Sequence, residues 1–153
     1  MKYELEICIS APRPSVAKLF IDQSRLAEWQ PSLRDLNWLQ GSPGEAGAKC
    51  ELTHKIGKRT VVMTETVRES NLPARISYVY EAKGVWNPVD NHFEEISPDE
   101  TRWRFKTEFQ CKGVMRIMSL LMPGAFKKES RRHMQEFKAF AEREAAKEAI
   151  VQT

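Results

Sequence analysis

Apolar and polar residues alternate from the start of the chain. Tyr3, Leu5, Ile7 and Ile9 fall on one face of an extended segment over residues 2–10, and Glu4, Glu6 and Cys8 fall on the other. This period of two is the signature of a half-buried strand. Ala11-Pro12-Arg13-Pro14 ends it, because proline removes a ladder donor and fixes φ. Pro14 suits the first turn of a short helix with Val16, Leu19 and Phe20 on one side. Asp22 or Ser24 can cap a second short helix through Leu26, Ala27 and Trp29, closed by Pro31. Strand-like runs follow. Asp35–Gln40 carries Leu36, Trp38 and Leu39; Lys49–Ile56 and Lys58–Arg68 read as a hairpin around Gly57. Ile76, Tyr78 and Tyr80 alternate after the Asn71-Leu72-Pro73 turn, and Gly84 turns the chain into Val85–Ile96. Pro88 inside that run implies a bulge or an edge position. Trp103, Phe105, Thr107 and Phe109 alternate after Ser97-Pro98-Asp99-Glu100. About seven strands with tight turns favour antiparallel pairing.

The period then changes. Gly113 to Met122 is rich in methionine and leucine, and Pro123-Gly124 breaks or kinks it. From Ala125 the chain is built of strong helix formers, with Phe126, Ser130, His133, Met134, Phe137, Phe140 and Ala141 on one stripe. Lys127, Lys128, Arg131, Arg132, Gln135, Lys138 and Glu142 point away, and Arg132–Glu136 and Lys138–Glu142 have the spacing of helix ion pairs. A sheet with one apolar face must cover it, and the terminal helix is the element long enough to do so. The expected fold class is α+β: a curved antiparallel sheet of about seven strands around a long C-terminal helix, with two short helices after the first strand. A helix cannot fill the whole concavity of a strongly curved sheet, so a pocket is expected between them.

The length of 153 residues fits one domain spanning 1–153, and an apolar content of 41% with 29% charged residues is that of an ordinary globule. A net charge of +3, with basic and acidic residues interleaved, is too mild to indicate nucleic acid. The dense basic run Lys127, Lys128, Arg131 and Arg132 reads as a solvated helix face; the alternative is transient contact with an anionic membrane surface or an acidic partner. Cys8, Cys50 and Cys111 are odd in number and too far apart for a metal or redox motif, which suggests reduced thiols in a cytoplasmic protein. The N-terminus has no signal-peptide pattern, and no stretch approaches the length needed to span a bilayer. The spacing of Gly41, Gly44 and Gly47 is wrong for a dinucleotide fingerprint. Neither a metal cluster nor a nucleophile elbow is present, so no metal and no cofactor is expected.

The order of elements resembles the START-like (SRPBCC) superfamily, and within it the polyketide-cyclase/dehydrase and lipid-transport type. The resemblance covers nearly the whole chain. It rests on Ile7-Cys8-Ile9-Ser10-Ala11-Pro12 with Val16 and Phe20, then Asp22, Leu26, Trp29 and Pro31. It continues with the Gly41–Gly47 loop, Arg102-Trp103-Arg104-Phe105 and the terminal helix. It implies a helix-grip fold like that of the birch-pollen allergen, enclosing a cavity for a small hydrophobic ligand. Carried over residue by residue, it places Trp29, Trp38 and a gating loop at Gly41, Gly44 and Gly47 near one end of the cavity. Phe126, Ser130, His133, Phe137 and Phe140 then form the helical wall. Fold analogy does not choose a reaction.

Among candidate residues, His133 is the most informative polar group: it sits on the stripe between Phe126 and Phe137, where it can orient a ligand or act as acid and base, or serve as a satisfied core histidine. Alternation puts Asn91 with Val89 and Phe93 facing inward, and the Asp90–His92 pair outward. Cys50 shares a face with Leu52 and His54, and belongs to the expected ligand-binding set with Trp29, Trp38 and Asn91. His54 and Glu65 lie on facing strands and form either a surface pair at a sheet edge or a buried pair. Arg75 reads as a solvated turn residue or as a contact for an anionic ligand head. The leading expectation is binding or transport of a lipid, isoprenoid or aromatic, polyketide-like molecule. The alternatives are a cyclase, aromatase or dehydratase using the same cavity, and a membrane- or protein-interaction module. The oligomeric state is left open.

Overall fold

A computed structural model describes residues 1–152. The strands are β1 (Lys2–Ile9), β2 (Leu33–Gln40), β3 (Lys49–Ile56), β4 (Arg59–Asn71), β5 (Arg75–Ala82), β6 (Val85–Ser97), β7 (Glu100–Glu108) and the two-residue β8 (Gln110–Cys111). Between β1 and β2 stand helix α1 (Arg13–Phe20) and a 3₁₀ helix (Gln23–Glu28); α2 (Val114–Leu121) and α3 (Pro123–Gln152) end the chain. All pairings are antiparallel, in the order β1-β7-β6-β5-β4-β3-β2, with β8 beside the start of β6. This is the curved seven-strand sheet and long helix that the alternation and the terminal stripe predict.

Local signals act where the sequence places them. Asp22 accepts a hydrogen bond from the Ser24 amide at 3.1 Å and caps the 3₁₀ helix. Pro14 occupies the first turn of α1, where its missing N–H costs nothing. Pro88 differs from expectation. It lies inside the central strand β6, paired with Val79 in unshifted register. On its other side the β7 ladder ends at Val89–Thr107 and β8 pairs only Val85 and Trp86. The absent donor therefore falls at the break between β7 and β8. The neighbouring Asn87 side chain bridges that break, donating to Glu108 O and to Thr107 Oγ1, each at 2.7 Å.

The inner face of the sheet carries Leu5, Ile9, Val67, Ile76, Tyr78, Val89, Phe93, Trp103 and Phe105, packed against Met134, Phe137, Phe140 and Ala141 of α3. Phe20 from α1 sits at the centre of this cluster, edge-on to Phe93, Trp103 and Phe137 at 5.3–5.4 Å between ring centres. Helix α3 runs closest to β1 and α1. Lys138 and Glu142 tie it there: Lys138 Nζ donates to Cys8 O at 2.8 Å, and Glu142 accepts from the Ser10 amide at 2.9 Å. The expected Lys138–Glu142 pair is thus replaced, because unpaired backbone groups at the end of β1 offer partners. The Arg132–Glu136 pair forms, at 3.2 Å.

Candidate functional site

Because α3 hugs β1, it leaves the β2–β5 half of the inner face only partly covered. Leu36, Met63 and Tyr80 point inward yet stay half-buried, and Trp38, opposite the fully buried Cys50, is 36% exposed. This half-covered stretch of the inner face, between α3 and the strands β2–β5, is the candidate cleft. Trp29 and His133 line it where the 3₁₀ helix meets α3. Their rings lie 4.9 Å apart, and Trp29 also meets Phe137 at 4.8 Å.

A row of inward side chains crosses the sheet at matched positions: Trp38, Cys50, Glu65, Tyr80 and Asn87. Glu65 is its centre and is buried. Cys50 Sγ donates to it at 3.6 Å and Gln23 Nε2 at 3.4 Å, and the Tyr80 hydroxyl is a third partner. Burial raises the Glu65 pKa, and the hydrogen bonds offset only part of that. Burial also pushes the Cys50 thiol up to about 12, with Glu65 beside it adding to the effect. Neither group has a cation partner among the described residues. His54 and Glu65 are both internal, so the surface-pair alternative is overturned, but they do not pair with each other. His54 Nδ1 bonds the Ser32 hydroxyl at 2.9 Å instead. They lie at different levels of the hairpin, since His54 faces Val61 and Glu65 faces Cys50.

His133 has no hydrogen-bond partner among the described residues, yet it keeps accessible surface. Burial, with nearby His54 adding to the effect, lowers its pKa to about 4. A desolvated imidazole with free ring nitrogens is neutral at pH 7 and can give or take one hydrogen bond. Trp29 Nε1 is a second unpartnered buried donor.

The other expected site residues are placed differently. Asn91 faces inward as alternation requires, but its Oδ1 accepts from Trp103 Nε1 at 2.9 Å and its Nδ2 reaches Ile76 O at 3.4 Å. It braces the core, where it is fully buried. Ser130 bonds the Tyr3 hydroxyl at 2.7 Å, and Phe126 packs on Phe109 at 4.8 Å, so both belong to a clasp between α3 and β1. Phe137 and Phe140 are fully buried in the core. Gly41, Gly44 and Gly47, all at positive φ, form a turn at the end of the sheet beside α1. A Cβ on Gly44 would meet Ile21 at 2.7 Å, and Gln40 Nε2 and the Val67 carbonyl hold Gly47. Asp90 and His92 face outward, 3.2 Å apart, with Arg75 bonded to Asp90 at 2.8 Å. Arg75 thus greets no internal ligand. Glu65, Tyr80 and Gln23 were not in the expected set. The signal that pointed to Glu65 and Tyr80 was the shared parity of Glu65, Met63 and Val67, and of Tyr80, Tyr78 and Ile76.

No group of three or more metal-binding side chains occurs among the described residues. None of their helices is long and apolar enough to cross a membrane.

The curved antiparallel sheet and the long C-terminal helix it grips define a helix-grip fold. The chain belongs to the family described as polyketide cyclase / dehydrase and lipid transport, which residues 1–142 match. Among solved structures it is similar to the Zhui aromatase/cyclase from Streptomyces sp. R1128, with a TM-score of 0.79, 14% identity and 94% of each chain covered. It is also similar to a conserved protein from Geobacillus kaustophilus, with a TM-score of 0.76 and 13% identity over 92% of this chain and 95% of the other. Ara h 8.0201 aligns with a TM-score of 0.70 and 10% identity over 92% and 97% of the two chains. At these identities the likeness is one of fold. No curated protein matches the chain.

Proposed function

We propose that the protein binds a small hydrophobic molecule bearing one polar group, of the lipid, isoprenoid or aromatic, polyketide-like kind, in the cleft between α3 and β2–β5. The observation that carries this reading is Glu65. A buried carboxyl without a cation partner is costly, and none of the three groups that bond Glu65 is charged. Its bonds go to Cys50, Gln23 and Tyr80, which share the same cleft. Such a group is retained when it meets a ligand. Trp29, Trp38, Met63 and Leu36 supply the apolar contact, worth about 25 cal/mol per Å² before ordering costs. His133 and Trp29 Nε1 supply further unmatched polar atoms. The three free thiols fit work in a reducing compartment such as the cytoplasm.

Native mass spectrometry of freshly purified protein tests the reading, followed by displacement of the dye ANS. A co-purifying hydrophobic molecule that displaces the dye is expected, and Glu65→Leu should weaken its binding about tenfold while leaving a folded protein. A native protein that binds neither dye nor ligand would end the proposal.

The second reading is acid–base chemistry of the cyclase, aromatase or dehydratase kind in the same cleft. It is favoured by a carboxyl and a neutral imidazole facing one interior, Glu65 with its pKa raised by burial and His133 with one of about 4. His133→Gln would then abolish turnover of a reactive substrate but keep its binding. Unchanged turnover would leave binding as the sole function.

A further inference from the structure

Helix α2 inverts the usual relation between an amphipathic helix and its protein. Val114, Ile117, Met118 and Leu121 stand at i, i+3, i+4 and i+7, the spacing of a single apolar ridge. Such a ridge normally faces the core. Here its members are 71%, 57%, 40% and 73% exposed, and no residue of α2 is buried. The opposite side of the helix makes the contact with the body of the protein: Met115 lies against Gly84, at the tip of the β5–β6 hairpin. Leu120 and Met122 add two more exposed apolar side chains.

The charges around this ridge are of one sign. No acidic residue occurs between Lys112 and Lys128. Lys112, Arg116, Lys127, Lys128 and Arg131 are exposed and enter no ion pair among the described residues. Residues 112–132 hold six basic residues against one acid, a net +5, so the rest of a chain of total +3 carries −2. The basic character of the whole protein is therefore concentrated here.

We propose that α2 docks the protein on the surface of an anionic lipid bilayer, its ridge in the headgroup region and its cations over the acidic lipids. An exposed apolar ridge collared by unpaired lysine and arginine is the pattern of an interfacial helix. A second copy of the chain is a poor occupant of the same face, because a symmetric dimer would bring two clusters of +5 together. At eight residues, about 12 Å long, the helix supports reversible contact. α2 leads directly into α3, a wall of the cleft, so docking sets the cleft beside the membrane. The docking itself holds whatever molecule the cleft takes, and its test uses no ligand.

The full chain is sedimented with vesicles of phosphatidylcholine alone and of phosphatidylcholine mixed with phosphatidylserine. Binding to the mixed vesicles, weakening as salt rises, is expected. Ile117→Ser with Leu121→Ser should lower partitioning about tenfold or more, and Lys127→Ser with Lys128→Ser about fivefold for each charge removed. All four positions are exposed, so thermal unfolding of the variants should match the parent. The proposal is overturned by equal binding to both vesicle types or by no binding to either. It is overturned as well by full binding of the Ile117→Ser/Leu121→Ser variant. A dimer in solution that this variant abolishes would assign the ridge to a second copy and likewise overturn it.

Discussion

Trp103 and Asn91 illustrate how a polar residue in an apolar core becomes fixed in its role. Both are fully buried, and each satisfies the other's polar atom at 2.9 Å. Replacing Asn91 by Leu leaves the indole N–H without an acceptor, and replacing Trp103 by Phe leaves the amide oxygen without a donor. Each single change should cost about 1–3 kcal/mol from the unpaired group alone, and the Trp103 variant more from lost packing. Urea unfolding of the two singles and the double should give a double-mutant cost well below the sum; simple additivity would mean that the bond contributes nothing. Glu65 behaves oppositely, because its partners do not neutralise it. Its pKa is raised, so the folded protein holds a proton that the unfolded chain releases above the ordinary carboxylate range. Stability from this group is therefore lost as pH rises through that window. Glu65→Gln removes the dependence, and the variant should gain on the parent as pH rises above the ordinary carboxylate range. A constant difference in melting temperature over that rise would refute the burial argument.

At the level of elements, alternation and helical periodicity fixed most of the fold in advance, because each strand buries one face and α3 buries one stripe. Tyr3, Leu5, Ile7 and Ile9, or Trp103, Phe105 and Thr107, announce their side by parity alone. What alternation does not carry is the destination of a polar side chain that has more than one partner within reach. Lys138 and Glu142 have helix-pair spacing, but the open end of β1 takes both. Pro88 reads as an edge signal, but it sits at a ladder break inside the sheet that depends on where β7 stops. Glu65 and His54 have the right parity to be internal, yet the general rule that such residues are solvated favoured the surface. Only the offset of α3 towards β1 reveals which part of the inner face stays open. The clasp that creates this offset is testable. Glu142→Ala leaves the Ser10 amide without its acceptor, and should cost about 1 kcal/mol and speed hydrogen exchange at Ser10 more than at Phe93. Equal effects at both amides would mean that the clasp does not hold α3 in place.

Across the whole molecule, three of the groups whose titration folding shifts, His54, His133 and Glu65, lie on the inner face, and they shape the stability profile above about pH 4. His54 and His133 are held neutral by burial, His133 to about pH 4. In the unfolded chain both take up protons near pH 6.5. Between pH 6.5 and about 4 the unfolded state therefore binds more protons than the folded one, and stability falls as pH falls, by at most about 1.4 kcal/mol per pH unit for each histidine. Below about pH 4 His133 is protonated in both states, and its contribution to the slope ends. Glu65 acts with the opposite sign above the ordinary carboxylate range, so it offsets part of the stability that the two histidines add as pH rises. Urea midpoints measured from pH 4 to 8 should trace this balance. His133→Gln should flatten the acid limb, while Glu65→Gln should steepen it. A bound ligand that hydrogen-bonds the neutral imidazole would deepen the acid limb of the parent protein and leave that of the His133→Gln variant unchanged, which separates occupancy of the cleft from the intrinsic titration of the fold. An acid limb identical in parent and His133→Gln would show that the imidazole is hydrated as freely in the folded protein as in the unfolded chain, and the cleft would then lack the desolvated wall on which ligand binding depends.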